Sequence, residues 1–175
     1  MNENNLIIKN AVITRRNFEG REEKPYNNKG VRGFSVMLDN ELAHILLGEG
    51  WNVKFKKGSD PDDPETPAFL SVAVSYENPR YIPKIVQVSY DADNNPRRTY
   101  FHENTVSNLD SADMIDIRLE IRPKAWENPN GHGIKAYLKT MYFTLVKDPF
   151  EDEYGIFSDE LGDDYGDSVP FTTDD

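Results

Sequence analysis

No cysteine occurs among the 175 residues. That absence excludes disulfide staples, a thiol nucleophile and any thiolate zinc site, and it suits a reducing compartment. Long apolar runs are missing too: none approaches the ~20 residues that a membrane-crossing helix needs. The first residues, Met1-Asn2-Glu3-Asn4-Asn5, are polar and acidic, the reverse of the basic-then-apolar order of a secretory signal. A soluble, non-secreted, cytoplasmic protein without a membrane partner is expected. Histidine is sparse: His44, His102 and His132 stand in unrelated contexts with no HExxH or HxH spacing. The phosphate-binding GxxxxGK(S/T), the dinucleotide GxGxxG and the nucleophile-elbow GxSxG are absent as well. No enzyme is expected, and no cofactor or metal.

What the chain does hold is charge, unevenly spread. The net charge is −11, from 31 acids and 20 bases. Residues 148–175 contain 11 of the acids and no Lys or Arg, so residues 1–147 carry 20 of each sign and are neutral. The acidity therefore belongs to a C-terminal tail, and the body is judged on its own. With 37% hydrophobic and 11% aromatic residues, the chain has the material for a core. The tail repels itself and cannot fold alone. The expected division is a folded domain over 1–147 and a disordered acidic tail over 148–175.

Strands are read from β-branched content or period-two alternation at Leu6–Thr14, Gly33–Leu38, Trp51–Lys56, Ala68–Tyr76, Lys84–Tyr90, Arg97–His102, Met114–Arg122 and Ile134–Val146. Within Met114–Arg122, the set Ile115, Ile117, Leu119 and Ile121 alternates with Asp116, Arg118, Glu120 and Arg122, which predicts the apolar set inside. Asp39 caps a short helix over Asn40–Gly48, and Glu103–Leu109 supplies one or two further helical turns. Asn128-Pro129-Asn130-Gly131 reads as a turn. No β-α-β alternation is present, so the class is all-β with one or two short helices, a small antiparallel barrel or sandwich.

A protein that holds single strands without reading sequence needs cations along the phosphate path and flat side chains for unstacked bases. Basic residues interleave with aromatics throughout the body. The pool expected to contain most contacts is Arg15, Arg16, Phe18, Tyr26, Lys54, Lys57, Arg97, Arg98, Trp126, Lys135 and Lys139. Lys135, Tyr137 and Lys139 share one face of their strand under period two. Trp51, Val53 and Phe55 share a face that is assigned to the core instead, as are Phe34, Tyr142 and Leu145.

The tail is punctuated by Phe150, Tyr154, Ile156, Phe157, Leu161 and Tyr165, with Gly166-Asp167-Ser168-Val169-Pro170-Phe171 near its end. An aromatic beside a proline amid acids suits docking into a basic-rimmed apolar pocket. Asp167, Pro170 and Phe171 are therefore the partner-docking candidates, the plainer alternative being a solubilising extension. Two rivals from other classes stand beside the single-strand binder. An acidic DNA mimic or adaptor would bind a basic protein through the tail. A divalent-metal nuclease would use Asp113, Asp116 and Glu120, although cross-strand ion pairs explain those carboxylates more simply.

Lys9-Asn10-Ala11, Gly33-Phe34-Ser35-Val36-Met37-Leu38-Asp39 with the helix after it, Gly50-Trp51-Asn52-Val53-Lys54, and the run from Gly133 to Tyr142 together resemble phage-encoded single-stranded DNA-binding proteins of the OB-fold type. The resemblance covers most of residues 6–147. Asp167 to Phe171 is similar to the acidic, Pro-Phe-ended tip of bacterial single-strand binders, except that Thr172-Thr173-Asp174-Asp175 follow it here. The resemblance implies an OB barrel that coats single-stranded DNA during phage replication or recombination, in the cytoplasm of the bacterial host. It also implies a tail that recruits replication and recombination proteins and folds back on the DNA cleft as a weak competitor. Monomer and dimer both stay open.

Overall fold

The computed structural model describes residues 4–146. All its elements lie in the first of the two units into which the chain divides, Met1–Leu145. They are β1 (Leu6–Ile8), β2 (Ile13–Asn17), β3 (Arg32–Leu38), α1 (Asn40–Glu49), β4 (Val53–Phe55), β5 (Ala68–Val74), β6 (Lys84–Tyr90), β7 (Pro96–Phe101), β8 (Met114–Asn128) and β9 (Gly131–Leu145). Two 3-10 turns, Pro79–Tyr81 and Val106–Asp110, interrupt the connections. The all-β class is as expected. Asp167, Pro170 and Phe171, with the rest of the acidic tail, lie outside the described residues.

The expected first strand, Leu6–Thr14, is two arms around a bend. Asn10 adopts φ 51, a left-handed conformation that breaks an extended run. Before the bend β1 pairs antiparallel with β8 (Leu6↔Ile121); after it β2 pairs with β3 (Ile13↔Val36). Between the arms, Ala11 N–H donates to Ile117 O and Val12 O accepts from Met37 N–H, each at 2.9 Å. The bend therefore hands the chain from one strand to the other. With the order β8-β9-β5-β3-β2, that transfer closes the sheet into a barrel and removes its edges there.

Most pairings are antiparallel, but β9 runs parallel to both β5 (Val72↔Ala136) and β6 (Ile85↔Met141). The antiparallel barrel expected from sequence thus carries two parallel joints on one long strand. β6 and β7 form a hairpin attached to the outer half of β9, and among the described residues β7 pairs only with β6. Helix α1 begins as expected: Asp39 accepts the Leu42 N–H at 2.7 Å. It ends at Gly50, whose φ of 101 lets its N–H close on the carbonyls of Leu46 and Leu47.

The core fills the barrel with inward residues of every long strand, including Phe34, Leu70, Val72, Ile85, Leu119, Ile121, Ile134, Leu138, Met141 and Phe143. Trp51 and Val53 join it as expected. Two bulges reset the alternation of β8, one between Ile115 and Arg118 and one between Glu120 and Ile121. Asp116 takes φ 55 at the first bulge. Ile115, expected inside, is turned outward and left 48% exposed. β8 also runs six residues beyond Arg122, so Lys124 and Trp126 sit on a strand and not in a loop.

Candidate nucleic-acid interface

The loop between β2 and β3 is short of apolar side chains, so polar bonds hold it. Asn17, only 7% exposed, accepts the N–H groups of Gly20 (3.0 Å) and Arg21 (2.9 Å) and donates to Arg21 O (3.0 Å). Asn27 donates to Arg21 O and Val31 O. Gly20 and Gly30, at φ 80 and 88, meet backbone to backbone. A Cβ on Gly20 would lie 3.1 Å from Gly30, so glycine permits that closeness.

Asp110, at the end of the second 3-10 turn, anchors the loop from outside. One oxygen accepts Phe18 N–H at 2.7 Å; the other accepts Glu19 N–H at 3.1 Å and the Arg21 guanidinium at 2.8 Å. Arg16 donates to Leu109 O (2.8 Å) and Ala112 O (2.6 Å), tying β2 to the same turn. These bonds position the loop's cations along the barrel face.

A groove of about 1250 Å³ runs from this loop across the outer face of β3, β5 and β9 to Trp126 on β8. That exceeds the ~300–1,000 Å³ of small-molecule pockets and suits a polymer. Among the described residues five bases line it, Arg15, Arg16, Arg21, Arg32 and Lys135, against one acid, Glu23. Its floor is made of small residues in register: Gly33 opposite Ala73, and Ser35 opposite Ser71. Flat side chains stand at its ends, Tyr26 at 90% exposure and Trp126 at 44%.

Trp126 owes its place to a neighbour without a side chain. It lies directly opposite Gly133 on β9, where a Cβ would fall 3.1 Å from the indole Nε1 and 3.2 Å from Gly50 O. Lys124 lies directly opposite Lys135, an arrangement of like charges that destabilises a ladder unless an anion is shared. Lys124 and Lys135 both approach the Tyr137 ring, at 6.0 and 5.2 Å, and Arg122 stacks between Tyr137 (5.1 Å) and Tyr81 (4.3 Å). At the loop end, Arg15 sits at a bulge with φ 52 and covers the Phe69 ring at 5.1 Å. A bulge with a left-handed non-glycine residue is a common way to re-aim a side chain.

The expected contact pool is thus divided. Arg15, Arg16, Tyr26, Trp126 and Lys135 meet in the groove. Lys54 is on the same outer face, opposite Phe69, and Lys57 follows in an exposed turn. Lys139 is drawn to Glu120 at 3.3 Å. Arg97 pairs with Asp91 at 3.6 Å on the β6–β7 hairpin, where Arg98 stands exposed. Phe18 needs correction as a base platform: it is fully buried against Phe34, centroids 5.7 Å apart, and offers no face to a base. Tyr142, expected inside, points outward beside Lys84 (5.4 Å from its ring), and Leu145 is 40% exposed.

The expected contact pool leaves out Arg21, Arg32 and His132, which line the groove. Arg21 and Arg32 had a readable sign, being bases flanking a Gly- and Asn-rich loop. Arg32 donates to Phe18 O at 2.9 Å, pairs with Glu103 at 3.4 Å and lies over Tyr76 at 5.4 Å. Burial pushes the Tyr76 phenol up to about 12, the Arg32 charge opposing and Glu103 adding to the rise. The carboxylates once considered for metal are engaged differently. Glu120 accepts from Asn5 at 2.8 Å, and that bond, with the help of Lys139, holds it below the usual range. Among the described residues no group of three or more His, Asp or Glu could hold a metal ion.

The family model described as "Putative phage ssDNA-binding domain" matches residues 1–164. The chain belongs to that family. Solved structures similar to this phage single-strand binder include the single-stranded DNA-binding protein from bacteriophage Enc34 in a C-terminal truncation. That one is 12% identical, with 83% of this chain and 88% of that chain covered and a TM-score of 0.48. The same Enc34 protein in complex with ssDNA is 13% identical, covering 86% and 95%, with a TM-score of 0.48. Gp2.5, a single-stranded DNA-binding protein encoded by bacteriophage T7, is 9% identical, covering 87% and 94%, with a TM-score of 0.38. No curated protein matches this one.

Proposed function

We propose that single-stranded DNA lies in the groove between the β2–β3 loop and Trp126, and that the protein coats such strands with little sequence preference during phage replication and recombination. The observation that carries this reading is the coincidence, in one groove and among the described residues, of five bases, one acid, a small-residue floor and an exposed aromatic at each end. Phosphates follow the arginines and Lys135, while bases stack on Tyr26 and Trp126. Every base has a π-face, so such stacking tolerates sequence. The role is binding and not catalysis, carried out in the host cytoplasm. Residues 1–147 form the binding domain; residues 148–175, through Asp167, Pro170 and Phe171, dock replication and recombination proteins.

Trp51 is 2% exposed and Trp126 44%, so fluorescence of the full chain reports mainly on the groove. Titration with oligo-dT should quench it, more weakly as salt rises. Trp126→Ala should weaken binding by about 1–3 kcal/mol, the worth of one stacked base. Lys135→Glu should weaken it and flatten the salt slope by about 0.7, the share of one phosphate contact. Equal affinity for matched duplex, or two variants that bind like the parent, would reject the groove.

A further inference from the structure

The β6–β7 hairpin carries a second basic and aromatic surface that the groove does not include. Val86 is paired with Tyr100 on one side and with Tyr142 on the other, and Tyr142 is paired in turn with Arg118. The four side chains therefore form one row across β7, β6, β9 and β8, on the face opposite the core residues Ile85, Met141 and Phe143. Val86 is fully buried although it points away from that core, while Tyr100 keeps 49% of its surface exposed and Tyr90, on the same face of β6, keeps 61%. Two ring-bearing positions thus lie two strand spacings apart, ~9.5 Å, over an apolar floor.

Cations surround the row. Lys84 lies 5.4 Å from the Tyr142 ring, and that hydroxyl, with Tyr100 nearby, raises the ammonium's affinity for its proton while Arg98 opposes it. Arg98 and Arg118 have no hydrogen-bonded or ion-paired partner among the described residues, whereas Glu120, an acid of this face, is bonded to Lys139 and Asn5. Arg97, beside Arg98 in sequence, is neutralised by Asp91 at 3.6 Å. The face thus holds unneutralised positive charge beside exposed rings, a combination suited to a polyanion with planar groups. It is reached from the groove along the outward positions of β9, from Lys135 past Tyr137 to Tyr142, ~24 Å of strand. Arg122, stacked between Tyr81 and Tyr137, stands on that path.

We infer that the outer face of the β6–β7 hairpin is a second contact segment for the same single strand, which leaves the groove past Lys135 and Tyr137 and ends on Tyr100, Tyr142, Lys84, Arg98 and Arg118. The inference rests on the groove being the primary DNA site. It divides binding by length. A short strand fills the groove alone, and a longer one engages the hairpin too.

The test compares oligo-dT of about 4 and about 16 nucleotides, the ends of the usual range for one OB fold, on the full chain. Three variants are used: Lys84→Glu with Arg98→Glu, Tyr100→Ala, and Trp126→Ala as the groove control. Lys84 and Arg98 are exposed, so their reversal leaves the core intact even if Tyr100→Ala perturbs Val86. For the two hairpin variants, expected is unchanged affinity for the short strand, about tenfold or greater loss for the long one, and, for the charge reversal, a long-strand salt slope flatter by ~0.7 for each phosphate lost. Equal loss at both lengths, or no loss at either, overturns the second segment. So does an unchanged long-strand affinity accompanied by lost binding of a peptide of residues 148–175, which would make the hairpin a seat for an acidic peptide. A wild-type chain that binds neither oligonucleotide, or a Trp126→Ala variant without effect on the short one, instead overturns the groove reading on which this rests.

Discussion

Replacing Asp110 by Ala tests whether the loop between β2 and β3 is held from outside. Its carboxylate accepts two backbone N–H groups, of Phe18 at 2.7 Å and Glu19 at 3.1 Å, and pairs with Arg21 at 2.8 Å. Phe18 is fully buried, so its amide has no ready access to water once the acceptor is gone. Hydrogen bonds to a charged group contribute about 1.5–3 kcal/mol each. The Glu19 bond is longer and exposed, and the Arg21 guanidinium is 41% exposed, so the latter adds at most about 1 kcal/mol. The sum is about 3–5 kcal/mol, a large part of the ~5–15 kcal/mol that stabilises an ordinary domain. At ~2–4 °C per kcal/mol for a chain of this length, the thermal midpoint should fall by about 10 °C. Asp110→Asn, which keeps an acceptor for the Phe18 amide, should fall by less than half of that. Circular dichroism melts give the stability, and oligo-dT titration of the same samples below the transition gives the function. Affinity should drop with Asp110→Ala because Arg21 and Tyr26 lose their fixed position. An Asp110→Ala protein that melts within a degree or two of the parent would refute this account of the loop.

Two further substitutions probe other parts of the structure. Gly133→Ala should cost oligo-dT affinity and shift the Trp126 emission, because the new Cβ would lie 3.1 Å from the indole Nε1 and 3.2 Å from Gly50 O; emission and affinity that stay at parental values would show that the indole does not depend on the bare backbone. Tyr76 is held protonated to about 12 by burial, against an ordinary phenol near 10. Stability from this residue is therefore complete below about pH 10 and drains away between 10 and 12, as the unfolded chain ionises first. Tyr76→Phe should remove that alkaline loss and should not destabilise at neutral pH, since the phenol oxygen is buried without a hydrogen-bond partner; unfolding curves at several alkaline pH values, superimposable for the two proteins, would refute it.

Much of this fold is legible because strands and caps are local. Lys84–Tyr90 is a strand with the bounds read from sequence, Asp39 caps α1, and Asn128–Gly131 turns β8 into β9. What fails does so where the backbone leaves the regular pleat. Ile115 shares the period of Ile117, Leu119 and Ile121, but the bulge at Asp116 puts it on the other side. Asn10 divides an apolar run that reads as one strand. At the site, residue types were readable and neighbours were not. Trp126 and Lys135 join Arg15 and Tyr26 only because β8 and β9 close against the same face as the loop, and nothing local announces that. Phe18 shows the converse. Its polar sequence neighbours suggest exposure, yet the Asp110 bonds draw its backbone inward and Phe34 receives the ring.

The bend at Asn10 has a bearing on the order in which the molecule comes into existence. Asn5 bonds to Glu120, 115 positions later, and β1 lies against β8. At ~5–20 residues per second of synthesis, the amino-terminal arm waits about 6–23 s before its partner has even been made. Contacts of such long sequence separation form late and slowly. The groove draws on both the early loop and the late hairpin of β8 and β9, so it does not exist until β9 has been made. A nascent copy therefore has the cations of the groove before it has the groove, and completion of β9 is what turns the one into the other.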